Sequence, residues 1–524
     1  MEVDDEQLAA HVSEWSTSTN DCLKIELVNG KETSGPFSPA FTYPIFGEEE
    51  VIFGYEDPVI NLSFAAHDLT PHLEITHGDL YPAQGDVKPT DIRGALADFL
   101  PESAFREVSR DEALKDPDAA SFVPPGEKLG GYKQDEKRYE VWCSSLADER
   151  ARRLLENMQI LVPMFIEGGT MLSLGQDWST QRWKLFLLYV VESKPKPDTS
   201  RYSLAGYGTS YRVFALPKQL GADATDILAF SGAPLSDFLL HASDAKVPST
   251  SPLDLPSRER LSQFLILPPL QGTGHGQHLY NTMYTYLAAP PNVREFTVED
   301  PNEDFDDLRD LCDLLHLRQH VPEFMALRIN TTIKAEDMLP SVHIPTHLIV
   351  DGAARERIKV QTKMVDRQLD RLVEMHTLSF IPASHRSRNR ITRKDRSSNG
   401  HDRAYYFWRL YAKQRLYIHN RDQLIQLEKD ERVEKLEAAL DSVQEGYVKM
   451  LEKVVKHAGR SSNGQGAVAG SGETVGGAVK PIARKRKVVQ DDEDDEEVES
   501  KEVAAEPATM NGRKKTKVGR DDRS

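Results

Sequence analysis

The sequence predicts a mixed α/β fold, α+β in the order of its parts, followed by a helical region and a disordered charged tail. Three observations predict it. Short apolar runs broken by Pro, Gly and Asp fill residues 1–145. A strand–loop–helix–strand–helix order follows near the middle of the chain, and beyond Arg355 apolar residues recur at helical spacing. The expected boundaries are an N-terminal mixed α/β domain over 1–145, a central domain over 146–330, a helical domain over 331–458 and the tail over 459–524.

The elements follow in order. Val51–Tyr55 and Val59–Phe64 read as strands around a turn at Asp57-Pro58. Leu154, Leu155, Met158, Leu161 and Val162 give residues 148–165 a helical period, with Pro163 near its end. Trp183–Glu192 and Tyr202–Phe214 are aromatic-rich strands joined by a proline-containing turn at Ser193–Ser200. Residues 217–260, with Pro217, Pro234, Pro248, Pro252 and Pro256 among many Ser and Asp, read as a long, partly disordered loop insertion. Leu261–Leu267 is a strand, Gly274–Ala288 a helix and Arg294–Val298 a strand. Pro301 stops that strand, Asn302 suits an N-cap, and Glu303 and Asp304 suit the first turn behind it. Phe305, Leu308, Cys312 and Leu315 then form one apolar face, which gives Cys312 a structural role. Val433, Leu436, Leu440, Val443, Tyr447, Met450 and Val454 alternate spacings of three and four, as in an antiparallel helical pair or a coiled coil.

Composition excludes several classes. The chain has 524 residues, 65 Lys+Arg against 83 Asp+Glu, for a net charge of −18. Its longest apolar run, Leu185–Val191, falls far short of the roughly 20 residues of a membrane helix. The acidic N-terminus has no apolar core for a secretory signal and does not suit a transit peptide. Cys22, Cys143 and Cys312 contain no CxxC pair, so neither a disulfide framework nor a cysteine zinc site is expected, and a soluble intracellular protein is. The acidic excess lies in residues 1–385, a field that repels nucleic acid and attracts polycations; acidic surfaces also simply keep proteins soluble. Residues 386–415 are basic but interleaved with Tyr405, Tyr406, Phe407, Trp408 and Tyr411. They read as a packed helix whose arginines cover an acidic neighbour, and direct nucleic-acid binding is not expected. In the tail, the basic runs Arg484–Lys487 and Arg513–Lys517 flank the acidic run Asp491–Glu497 and read as nuclear-import signals.

The chemistry-bearing motif is Gln271-Gly272-Thr273-Gly274-His275-Gly276, between a strand and a helix. Glycines let backbone N–H groups approach a ligand, and the helix N-terminus adds partial positive charge, which together make a pyrophosphate cradle. No Gly-Lys-Ser/Thr follows, so this is not a P-loop, and no βαβ repeat surrounds it, so it is not a Rossmann turn. His275 reads as exposed filler between glycines.

Gln-x-x-Gly-x-Gly after an apolar strand resembles the acetyl-coenzyme A loop of the GNAT N-acetyltransferases. "LSQFLILPPLQGTGHGQHLY" at 261–280, "FTVEDPNEDFDDLRD" at 296–310, "FGEEEVIFGY" at 46–55, "MFIE" at 164–167 and the Trp183 strand narrow the resemblance to the catalytic subunit of type B histone acetyltransferases, over roughly residues 40–385. The resemblance implies a GNAT acetyltransferase fold for the central domain and acetyl-CoA as cosubstrate, with no metal. It implies that the backbone of Phe264, Leu265 and Ile266 positions the thioester, that Gln271, Gly272, Thr273, Gly274, His275, Gly276 and Gln277 bind the pyrophosphate, and that Asn302 lies beside the cofactor arm. It makes Glu299 the general base, with Glu167 and Asp300 as supporting acids. Histone-tail contacts fall on Glu48, Glu49, Glu50, Trp183, Tyr211, Arg212 and Val213, although relatives often carry tyrosines where Arg212 and Val213 stand. The implied partners are free histone H4 with its histone partner and a WD-repeat histone-binding subunit, with no membrane. The basic runs of the tail lead to an expectation of both cytoplasm and nucleus.

Acetylating a lysine requires a neutral amine from a group with pKa near 10.4, so a carboxylate that takes its proton is needed. Taken alone, Glu299-Asp300-Pro301 also suits the end of a strand before a helix, Glu48–Glu50 a solvated turn, and Trp183 a core residue. The leading expectation is acetyl-CoA-dependent acetylation of H4 tail lysines. The alternatives are a GNAT enzyme for another basic protein or a polyamine, and a non-catalytic histone-binding escort.

Overall fold

The computed structural model describes residues 13–83, 87–173, 177–214, 252–254, 256–338, 343–391 and 399–463. The N-terminal strands are β1 (Ser16–Ser18), β2 (Leu23–Asn29), β3 (Glu32–Thr33), β4 (Val51–Phe53), β5 (Val59–Ala65) and β6 (Pro71–Thr76). They form a four-stranded sheet in the order β3-β2-β5-β6 and a separate β1–β4 pair. The turn at Asp57-Pro58 therefore separates strands of two different sheets, and Asp57 takes a left-handed φ of 44° to do so.

The second sheet comprises β7 (Glu127–Gln134), β8 (Lys137–Ser145), β9 (Trp183–Val191), β10 (Tyr202–Phe214), β11 (Ser257–Ile266) and β12 (Val293–Val298), in the order β12-β11-β10-β9-β8-β7. All neighbours are antiparallel except β11 and β12. The sheet thus takes in residues 127–145, upstream of the boundary expected at 145. It also takes in 257–260, expected as loop, because Ser257, Glu259 and Leu261 alternate onto its buried side. Residues 217–251 of the expected insertion lie outside the described residues.

Helices cover both faces. α1 (Glu149–Met158) starts at Asp148, whose Oδ1 accepts from Arg150 N at 2.8 Å. It packs with the N-terminal sheet against Leu185, Leu187 and Tyr189. Pro163 falls in the first turn of a separate short helix, Val162–Phe165, where its missing N–H has no partner to lose. On the other face α2 (His275–Ala288) and α3 (Glu303–His320) meet Phe186, Leu188 and Leu261. The apolar run Leu185–Val191 is a strand buried from both sides, which is why it does not alternate.

The remaining long helices among the described residues are α4 (Gly352–Thr362), α5 (Asp366–Ser379), α6 (Gly400–His419) and α7 (Lys429–Asn463). α6 and α7 run antiparallel: Tyr405 donates to Gln444 at 2.7 Å, Arg409 pairs with Asp441 at 3.3 Å, and Lys413 pairs with Glu437. Leu440, Tyr447, Met450 and Val454 of the predicted stripe are buried, whereas Val433 is exposed. Arg409 and Arg415 of α6 are spent on acids inside this layer, and Arg415 and Tyr447 both bind the fully buried Glu374, at 2.8 Å each. α3 is tied to α2 and α5 by a buried polar network. Tyr280 donates to Asp313 (2.8 Å), Gln368 donates to Asp313 (3.0 Å) and Asp310 (3.1 Å), and Arg371 pairs with Asp310 (2.5 Å). Burial pushes the Asp313 carboxyl up to about 6. No helix among the described residues is long and apolar enough to cross a membrane. α7 extends past the tail boundary expected at 459; the tail's basic and acidic runs lie outside the described residues.

Candidate active site

β11 organises the site through two irregularities. Gly208 pairs with Phe264 but Ser210 with Leu261, so Ser262 and Gln263 together face Thr209 in a bulge. On its other side β11 pairs with β12 only as far as Leu261–Val298, and the last bond runs from Glu299 N to Leu261 O at 2.8 Å. Beyond that point β11 continues to Ile266 beside a gap. Leu267 N donates to Ala205 O at 2.9 Å, which puts the amides of Leu267 and Leu265 towards β10. By alternation the backbone groups of Phe264 and Ile266 face the gap. Leu265, expected to position the thioester with them, instead spends its backbone on the β10 ladder and buries its side chain. Phe305, in the first turn of α3, packs edge-on against Phe264 at 5.1 Å, setting the N-terminus of α3 at the gap. Asn302 caps that helix, its Oδ1 accepting from Phe305 N at 2.9 Å.

The glycine turn closes one end of the gap. Gln271 donates its side-chain amide to Ile266 O at 2.7 Å. Gly272 and Gly274 have φ of 72° and 96°, a backbone that L side chains avoid, and Gly274 is the N-cap of α2. Among the described residues none of the N–H groups from 272 to 276 donates to a backbone carbonyl. A row of unpaired donors at a helix N-terminus fits a pyrophosphate, so these residues fit coenzyme A. β7 braces the turn: Tyr132 hydroxyl meets His275 Nδ1 at 2.7 Å and Gln134 donates to Thr273 O at 2.8 Å. His275 is therefore buried, not exposed filler, and burial lowers its pKa. Gln277 turns away from the gap and accepts from His457 Nε2 of α7 at 3.1 Å.

At the other end stands Glu299, its side chain 34% exposed. Ser262 Oγ donates to Oε2 at 2.5 Å and Tyr211 hydroxyl to Oε1 at 3.2 Å. Arg260 Nη1 lies 3.2 Å from the Tyr211 hydroxyl and 3.9 Å from Oε1. Trp183 pairs across the sheet with Tyr211 and Tyr211 with Arg260, so the three share one face, with the Trp183 and Tyr211 rings 4.6 Å apart. Burial raises the Tyr211 pKa, leaving the hydroxyl a donor at neutral pH.

Comparison with known proteins now decides the family. A family model described as "Histone acetyl transferase HAT1 N-terminus" matches residues 15–167. The chain is 37% identical over 460 residues to the "Histone acetyltransferase type B catalytic subunit" of Aspergillus oryzae, an alignment covering 84% of this chain and 87% of that one. It is 38% identical over 451 residues to the protein of the same description from Pyricularia oryzae, covering 83% and 91%. With the one from Yarrowia lipolytica the identity is 30% over 462 residues, covering 84% and 93%. The chain belongs to the type B histone acetyltransferase catalytic subunit family.

The other residues expected in the site of this acetyltransferase divide. Glu167 is exposed on a loop pinned to β11, where Gln263 donates to Thr170 O at 2.9 Å, next to the serine that holds Glu299. Asp300 is exposed, with a left-handed φ of 31°, and turns the chain from β12 into α3. Glu48 and Glu49 are exposed, on a segment docked to the Phe-Ile-Glu motif through Ala40 N to Met164 O at 3.0 Å. Glu50 is different. Its carboxylate accepts from Thr42 N (2.5 Å), Tyr43 N (3.1 Å) and Asn20 (2.9 Å), which consumes it inside the fold. Arg212 also departs from expectation, because successive residues of a strand point to opposite faces. Its guanidinium lies on the far side of the sheet from Tyr211, on the buried Glu259 (2.5 Å) and Leu253 O (2.6 Å). Val213 returns to the Tyr211 face, partly buried opposite Arg258. Sequence reading missed Ser262 and Arg260. Their only signal was position: Ser262 sits in the bulge, and Arg260 comes opposite Tyr211 once the strand register is known.

Proposed function

We propose that the chain transfers the acetyl group of acetyl-CoA to lysines in the N-terminal tail of free histone H4, with Glu299 as general base. The observation that carries this is the carboxylate held by two hydroxyl donors at the mouth of a strand gap whose other end is a ring of unpaired N–H groups. Acetyl-CoA supplies the activated thioester. The residues that would hold it are the turn Gln271–Gly276 and the gap-facing backbone of Phe264 and Ile266. Glu299 takes a proton from the lysine ammonium, directly or through water, and the freed amine attacks the thioester carbonyl. The C–S bond breaks as the N–C bond forms, and the departing thiolate takes up the amine's second proton through solvent. Gap-facing N–H groups of β11 offer hydrogen bonds to the carbonyl oxygen as it gains charge. The exposed Glu48 and Glu49, and the Trp183 face, suit a peptide rich in lysine.

The same reading includes a WD-repeat histone-binding subunit as partner and residence in cytoplasm and nucleus, the latter resting on the basic runs at 484–487 and 513–517. The test is Glu299→Gln with free histones: calorimetry should give an acetyl-CoA affinity near wild type while the acetylation rate at neutral pH falls at least roughly tenfold. An unchanged rate would transfer the role of base to Glu167 or Asp300. Activity on polyamines but not histones would favour a different GNAT substrate, and none on either would favour an escort. For localisation, removal of residues 478–524 should lower nuclear fluorescence of a tagged protein.

A further inference from the structure

Tyr211 was expected to touch the histone tail, yet its hydroxyl is committed to the carboxylate. A phenol has one proton to give. Its oxygen lies 3.2 Å from Arg260 Nη1, a group that can only donate, so the phenol proton is directed onward to Glu299 Oε1 at 3.2 Å. Ser262 gives its own proton to Oε2. Each carboxylate oxygen thus accepts from one hydroxyl, which fixes the plane in which the carboxylate lies. Each oxygen keeps lone-pair capacity for a proton arriving from the gap. The guanidinium, 3.9 Å from Oε1 with its side chain 16% exposed, adds a fixed positive charge beside the anion.

We propose that Arg260, through the Tyr211 hydroxyl, is a positioning residue for acetyl transfer: it holds the Glu299 carboxylate oriented towards the incoming lysine. This rests on Glu299 being the base. The strand register builds it, because Arg260 and Tyr211 are cross-strand partners and Glu299 is the first residue after the last β11–β12 pair. Among the described residues, Arg260 and Tyr211 on the strands beside it contact the carboxylate, Asp300 is next in the chain, and Glu167 is on the loop bound to Gln263.

The test is kcat and KM, taken separately, on a histone-tail peptide. Arg260→Gln should lower kcat several-fold and leave the peptide KM within about twofold, and Tyr211→Phe should do the same. Because the two residues act through one contact, the double variant should lose little more than either single one. Acetyl-CoA affinity by calorimetry should stay unchanged in all three. If Arg260→Gln keeps kcat, or the two losses simply add, while Glu299→Gln abolishes activity, the positioning role is wrong and the base assignment stands. If Glu299→Gln keeps its rate, the base assignment falls and this proposal falls with it.

Discussion

The two ends of the gap beside β11 are built from different materials. The end proposed to hold the cofactor is main chain: unpaired N–H groups of the glycine turn and the backbone of Phe264 and Ile266. The end proposed for acid–base work is side chain: Glu299, Ser262, Tyr211 and Arg260, drawn from three adjacent strands. The contrast teaches where each end is vulnerable. A backbone site is insensitive to most substitutions but fails when a side chain intrudes or φ is denied. A side-chain site loses function one hydrogen bond at a time.

The largest effect should come from intrusion. Gly274→Val puts a β-branched residue at φ 96° and a side chain into the cradle, so calorimetry should find acetyl-CoA affinity reduced at least about a hundredfold. Normal affinity would mean that the turn is not the cofactor end at all. Ser262→Ala should be milder and fall on the other end: kcat lower by roughly tenfold or less, acetyl-CoA affinity unchanged. A fall in cofactor affinity there would erase the division between the two ends. Glu50→Ala tests a residue assigned to neither. It should lower stability by about 1–3 kcal/mol, read in urea unfolding, through the backbone donors it strands, and leave kcat at saturating peptide alone. The smallest effect belongs to Glu48→Gln with Glu49→Gln: histone KM up about two- to threefold at low salt, vanishing at high salt because exposed charges are screened.

The same division explains what was legible. The backbone end could be read directly, since glycines at Gln271–Gly276 and the Asn302 cap are local signals, and both elements lie within a residue or so of where the pattern put them. The side-chain end was half legible. Glu299 came from a motif, but Ser262 and Arg260 reach it through a bulge and a strand register that no local pattern encodes. Glu50 and Arg212 were misplaced for related reasons. A carboxylate that caps a neighbouring turn and an arginine one residue off in strand parity look, in sequence, the same as their functional neighbours. The membership of β7 and β8 in the central sheet escaped notice because a strand's partners lie far along the chain.

The Tyr280–Asp313–Gln368 network has a consequence for anyone seeking a minimal enzyme. The strand–helix unit with the gap and Glu299 ends by sequence near residue 320, and a fragment stopped there looks complete on paper. Cutting there removes Gln368 and Arg371. It leaves Asp310 and Asp313, with Arg309, on a helix face stripped of the polar partners on α5 and of the apolar cover from α5 and α7. Tyr280, on the helix that begins at the glycine turn, loses the far half of its hydrogen-bonded chain. Such a fragment would be recovered as aggregate and not as a smaller catalyst, so truncations for crystallisation or expression should begin downstream of α7.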